Sequence, residues 1–177
     1  MADTATYDLI SSNTIVGSST NAVTFSSIAA TYTDLRLVIV FASTTNAQGQ
    51  INLRFNGDTA TNYSYTQLTG NGTAAASGRT ANQPQITIGN YVTTGSIITP
   101  PQMTTLDVFS YAGSTYKTSL MTAANDTNND PTYGGGGVIN QVSLWRSTAA
   151  ITSMSLTLST SNYSAGSIFT LYGIKAA

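Results

Sequence analysis

Seven aspartates are the main candidates for acid–base chemistry in this chain, which has no His, no Cys and no Glu. A Ser–His–Asp or Cys–His relay cannot be assembled from that set. A zinc site would rest on Asp alone, without the imidazole and thiolate ligands that zinc favours. A glycosidase would need two Asp carboxyls flanking one bond. Asp107, inside the strand-like run Leu106-Asp107-Val108-Phe109, is the best single catalytic candidate. Its plainer reading is a hydrogen-bonded or solvent-facing strand residue, and the expectation is that the chain is not an enzyme.

Three further patterns invite chemistry. Asp126-Thr127-Asn128-Asn129-Asp130 sets side-chain oxygens at alternate positions, as a calcium loop does at its start. Pro131 stands where that loop turns on Gly, and Gly137 stands where it needs a bidentate Glu, so the segment reads as a polar turn. Gly134–Gly137 lacks the Lys-Ser/Thr and the helix of a phosphate loop and reads as a hinge before a strand. The ten Tyr residues and Trp145 could line a glycan-binding face, although aromatics scattered singly along strands fit core or subunit contacts better. Trp145 cannot share a strand face with Val142 and Leu144. That parity makes it a candidate interface residue, where Trp is enriched; a second buried layer is the alternative. Tyr133 in a long loop and Arg54 on the polar side of its strand complete the candidate interface set. No cofactor and no metal are expected.

The elements that must position these residues are strands. Charged residues make up only 7% of the chain, far below the usual quarter or so, while apolar content is an ordinary 41%. Solubility falls to hydroxyls and amides, with 31 Thr and 21 Ser. Thr suits a pleated surface, and the lack of Glu with only two Lys removes the best helix-surface residues. A net charge of -1 gives no basic field to hold nucleic acid or an anionic membrane. Few charges also mean little repulsion between copies, which suits a subunit of an assembly as well as a neutral soluble module. The start, MADTATYD, lacks the basic and apolar segments of a secretory signal. No apolar run reaches membrane-span length, so a soluble protein made in the cytoplasm is expected.

Asp34–Phe41, DLRLVIVF, is the longest apolar run and anchors the reading. Leu35, Leu37, Ile39 and Phe41 alternate onto one face, and Val38 and Val40 make the other largely apolar, which predicts a central strand covered on both sides. Around it, strands are expected at 7–10 and 14–16, separated by a turn at Ser11-Ser12-Asn13, then at 22–25 and 50–56. Asn56-Gly57 is the strongest two-residue turn signal, with 63–68 as the returning strand. Residues 70–83 read as a surface loop, 85–89 as a strand, 103–111 and 116–122 as a hairpin, and 123–137 as a second long loop. Strands at 138–146, 151–159 and 167–174 close the chain. The predicted fold is all-β, a two-sheet antiparallel β-sandwich of jelly-roll type, with residues 1–6 as a short arm and 7–177 as a single domain.

The closing phrase Ser167-Ile168-Phe169-Thr170-Leu171-Tyr172-Gly173-Ile174-Lys175, preceded by Ser147–Ser153, resembles tailed-bacteriophage virion proteins that end in a strand like GSxFxLYGI. Tyr7-Asp8-Leu9-Ile10, Val23–Ile28, Tyr32–Leu37, and Phe55-Asn56-Gly57-Asp58 followed by Asn62-Tyr63-Ser64 fit the same pattern. Residues 70–101 carry no part of it. The resemblance implies a β-sandwich that oligomerises, often as a trimer, on the particle surface. It supplies no catalytic residues. The expected role is a capsid decoration or cement protein in the virion, whose partners are its own copies and the major capsid protein or other virion proteins. A tail-fibre or baseplate module that attaches to host-surface glycans is the alternative.

Overall fold

The computed structural model describes residues 6–17, 20–44, 50–88, 101–126 and 136–175. Within them the chain forms twelve strands and no helix. The strands are β1 (Tyr7–Thr14), β2 (Ala22–Phe25), β3 (Asp34–Phe41), β4 (Ile51–Phe55), β5 (Tyr63–Gly70) and β6 (Ala75–Gln83). They continue as β7 (Ile86–Ile88), β8 (Gln102–Phe109), β9 (Lys117–Asn125), β10 (Gly137–Trp145), β11 (Met154–Leu158) and β12 (Ile168–Ile174). One sheet has eight strands in the order β1-β12-β3-β8-β9-β10-β5-β6, and the other has four in the order β2-β11-β4-β7. Every pairing is antiparallel.

The wiring explains the fold. With β5, β6, β9 and β10 set aside, two four-stranded sheets remain, β1-β12-β3-β8 and β2-β11-β4-β7. The first strand pairs with the last, and β2 pairs with β11 inside that pair; this nested ribbon folded across two sheets is a jelly roll. The β5–β6 hairpin and the β9–β10 pair are insertions, and both widen the same sheet. The core lies between the sheets. Leu35, Leu37, Ile39 and Phe41 of β3 meet Leu53 and Phe55 of β4, Ile86 of β7 and Leu156 of β11, all at most 2% exposed. Alternation drives this: each strand turns one apolar set inward at every second residue.

Asp34–Phe41 lies inside the large sheet, as expected, but among the described residues only one of its faces is covered. Arg36, Val38 and Val40 are half-buried, shielded by same-sheet neighbours such as Thr170, Thr105, Ile168 and Met103. The predicted turn at Ser11-Ser12-Asn13 is instead part of one continuous β1. The ladder to β12 overrides the local turn preference, a bulge between Leu9 and Ser11 absorbs the strain, and Ser12 Oγ meets Thr170 Oγ1 at 3.2 Å. Asn56 and Gly57 do form a tight turn, with φ of 52° and 66°. Yet β5 does not return beside β4; it crosses to the other sheet and pairs with β10 and β6. The Tyr63 side chain makes the link back, its hydroxyl accepting from Phe55 N at 3.0 Å. Residues 75–83, expected as loop, form β6, held by its ladder to β5 and by Arg146 Nη2, which donates to Asn82 Oδ1 at 2.9 Å. β9 likewise runs on to Asn125, beyond the predicted loop boundary at 123.

Candidate functional site

Asp107 sits on β8 directly opposite Arg36 on β3. The pair is bidentate: Arg36 Nε donates to Asp107 Oδ1 at 2.6 Å and Nη2 donates to Oδ2 at 2.7 Å. Arg36 Nη1 donates to the Tyr7 hydroxyl at 3.0 Å, and its Cζ lies 5.5 Å from the Tyr7 ring centroid. Tyr7 packs edge-on against Tyr172, with centroids 6.3 Å apart. The hydrogen bond to Asp107 pushes the Arg36 guanidinium further up from its ordinary value, against the opposing effect of partial burial. Both carboxylate oxygens are therefore engaged by a fixed cation, a structural arrangement that cross-ties the middle of the sheet.

That ion pair stands on the outer face of the eight-stranded sheet, which no other layer covers among the described residues. The outward residues run in rows across the strands, such as Tyr172, Arg36, Asp107, Leu120, Val142 and Thr66. Among the described residues eleven large apolar side chains are exposed, and all but Val16 and Tyr116 lie on this face. Leu9 is 61% exposed, Met103 60%, Leu68 64% and Leu120 49%. Thr and Ser fill the positions between them. The charges these strands turn outward balance, Arg36 and Arg79 against Asp34 and Asp107, and Asp34 accepts from Ser110 N at 2.6 Å. The face is broad, neutral and patterned in apolar and hydroxyl groups.

Trp145 points the other way. It is 2% exposed and enclosed in the sandwich, stacked on Tyr63 at 6.2 Å between centroids and 5.5 Å from Phe55. It presents no surface to a neighbour, whereas Val142 and Leu144 of the same strand face outward. Its indole N–H donates to Asp58 Oδ2 at 2.7 Å, and Asn62 Nδ2 donates to the same oxygen at 2.9 Å. Ala60 N donates to Asp58 Oδ1 at 2.8 Å. Partial burial alone would raise the Asp58 carboxyl, but these three donors together hold it below the usual carboxylate value. Burial raises the Tyr63 hydroxyl to about 12. Asp58 thus fixes the corner where the chain changes sheets.

Arg54 lies on the outer side of the four-stranded sheet, where it donates to Pro84 O at 3.2 Å and Gln85 Oε1 at 2.6 Å and pins the approach to β7. Lys117 is 1% exposed; its ammonium donates to the Gly113 and Thr115 carbonyls in the β8–β9 turn, and burial pushes it down from its ordinary value. Tyr133 and residues 127–130 of the calcium-like segment lie outside the described residues. Among the described residues no three His, Cys, Asp or Glu side chains converge to hold a metal. A cleft of about 800 Å³ opens at one end of the large sheet, floored by Met103 and Val138 and rimmed by Asn71, Asn125 and Asp126.

Sequence reasoning found Asp107 and Arg54 as polar strand positions but missed the outer face. In β10 the outward set, Val138, Asn140, Val142 and Leu144, is more apolar than the inward set, Ile139, Gln141, Ser143 and Trp145. Alternation tells which residues share a face, not which face is covered. The single large aromatic was the better guide.

No protein-family model matches the sequence, and no curated protein matches it. Among solved structures the chain is similar to the crystal structure of Caenorhabditis elegans galectin LEC-6. The identity is 11% and the TM-score 0.35, over 93% of this chain and 96% of that one. A superposition this loose says nothing about ligand or function.

Proposed function

We propose that this chain is a structural subunit of a tailed-bacteriophage virion, a capsid decoration or cement protein that oligomerises on the head and stabilises the shell. The uncovered outer face of the eight-stranded sheet carries this reading. Eight strands at about 4.8 Å spacing and about eight residues long give roughly 1,000 Å² of flat surface. That exceeds the ~800 Å² per partner of a typical specific interface. Apolar patches beyond a few hundred Å² on soluble domains mark interaction sites. A face with balanced charges docks without net electrostatic penalty, and its hydroxyls lose little on burial when they find partners. The Ser167–Lys175 phrase and its N-terminal companions supply the virion context by resemblance.

The test adds purified protein to particles that lack it, followed by imaging and a heat-release assay. A symmetric array on heads with a raised temperature of genome release is the expected result. Binding to tails or host cells with bare heads would overturn the cement role in favour of adhesion, and binding to none of these would overturn the virion reading. Leu120→Lys with Val142→Glu should abolish head binding while leaving the melting temperature within a few degrees, because both side chains are about half exposed.

A further inference from the structure

We propose that the free edge of β6 is a self-association site, where β6 pairs antiparallel with β6 of a second copy about a two-fold axis through Gly78 normal to the sheet. This goes beyond the virion reading and stands on separate observations. β6 is nine residues long, yet none of them is buried: seven are exposed and two half-buried. A strand that buries no side chain has little beyond its ladder to β5, with one bond from Arg146 Nη2 to Asn82 Oδ1 near its end, to offset the entropy of ordering. Its other edge is unpaired among the described residues.

Natural edge strands are shielded by Lys, Pro or bulges. β1, at the far end of the same sheet, has its bulge in mid-strand and the Lys175–Asp8 ion pair beside it. β6 has no Lys and no Pro, and its irregularity lies near the C-terminal end, where Asn82 takes φ 55°. Ala75–Gly78 is left regular, with small side chains that do not screen the backbone, and Arg79 is the one charged side chain that follows.

The pattern fits a second copy. A two-fold axis normal to the sheet sets residues of the same face opposite one another. With Gly78 on the axis, glycine meets glycine, Ala76 meets Thr80, and Arg79 meets Ser77 of the other copy. The strand's single charge never faces itself. The two outer faces then become one continuous surface of doubled area.

The chain has no Cys, so one introduced thiol is unique. A Cβ at position 78 would meet only Gln67 Nε2, at 3.9 Å, so the fold accepts Gly78→Cys. Opposed Cβ atoms in an antiparallel pair lie about 4.5–5.5 Å apart, and small adjustments bring them into disulfide range. On mild oxidation Gly78→Cys is expected to form a covalent dimer, while Ser114→Cys in the β8–β9 turn stays monomeric. In sedimentation equilibrium, Ser77→Lys should weaken the dimer roughly tenfold and Ser77→Asp should tighten it by a similar factor, through the two symmetric contacts with Arg79. Both variants should keep the parent melting temperature. A protein that stays monomeric at several hundred micromolar overturns the proposal. So does Gly78→Cys cross-linking no faster than Ser114→Cys, or a dimer indifferent to both Ser77 changes. Head decoration by monomeric Ser77→Lys would leave the virion reading intact, so the two proposals fail separately.

Discussion

The large sheet has two halves built on different principles. In the jelly-roll half, the inward residues of β12, β3 and β8 include Phe169, Leu171, Leu37, Ile39, Leu106 and Val108, all 0% exposed. In the added half, β9, β10 and β5 turn Ser119, Gln141, Ser143 and Gln67 to the same side. Gln141 Nε2 donates to Ser143 Oγ at 2.9 Å, but Ser119 Oγ and Gln141 Oε1 find no partner among the described residues. One half is selected by burying hydrocarbon, at about 25 cal/mol per Å². The other mixes these polar groups with the buried Tyr63, Met121, Ala123, Ile139 and Trp145 and leans more on its backbone ladders, continuing a sheet whose first half is already formed. The difference teaches that a sheet can be widened with a core that is only partly hydrocarbon.

Leu171→Asp is the severest test of that contrast. Leu171 sits mid-strand between β1 and β3, opposite Ser11 and Leu37. An unpaired buried carboxylate costs about 3–5 kcal/mol or more, a large part of the 5–15 kcal/mol typical of a whole domain. The variant should yield no soluble folded protein. A soluble product with an unchanged melting temperature would break the comparison at its firmest point.

Leu106→Ala sharpens it at the seam. Leu106 pairs with Met121 across the boundary between the halves, and both are buried. Truncation should lower unfolding free energy by about 2–5 kcal/mol in chemical denaturation. A loss below about 1 kcal/mol would mean that the core does not reach the seam.

Legibility in the sequence did not follow the same division. β2, β3, β4, β8, β11 and β12, and equally β5, β9 and β10 of the added half, could be placed to within a few residues, because sets such as Leu35-Leu37-Ile39-Phe41 or Ile51-Leu53-Phe55 alternate against polar neighbours. The two-sheet sandwich followed from them. β6 was not legible, because AASGRTANQ has both faces in solvent and no burial to impose a period. The crossing of β5 was hidden as well: the Asn56-Gly57 turn is local, whereas the Tyr63 hydroxyl on Phe55 N is not. The outward setting of Val142 and Leu144 could not be read, since the inward set of β10 is the more polar one. Arg36 and Asp107 lie 71 residues apart in sequence, so only the β3–β8 register reveals their pairing.

The Asp58 corner ties the added half to the four-stranded sheet and should respond to acid. Its folded carboxyl titrates below the unfolded value of about 3.9. As the pH falls through that interval the unfolded chain binds more protons than the folded one, so stability drops. The contribution is whole above about pH 4 and is lost as pH falls through the folded value. Trp145→Phe removes one of the three donors and should cost about 1–2 kcal/mol at pH 7. Asp58→Asn should flatten the acid limb of a melting-temperature profile. An unaltered limb would show that the corner does not couple the added half to the four-stranded sheet electrostatically.

The smallest expected effect is the most telling about the added half. Ser119 is 2% exposed and its Oγ has no partner among the described residues, so its hydroxyl was desolvated without a compensating bond. Ser119→Ala deletes that oxygen while leaving the ladder to Val108 and Ser143 in place. In a half sustained by backbone pairing, the change should be neutral or stabilising by up to about 1 kcal/mol. The matched change in the other half, Leu37→Ala, removes hydrocarbon and should cost about 2–5 kcal/mol. Denaturation curves of the two variants measured side by side decide the matter. A loss of more than about 1 kcal/mol from Ser119→Ala would show that polar side chains, and not the ladders, hold the widened sheet together.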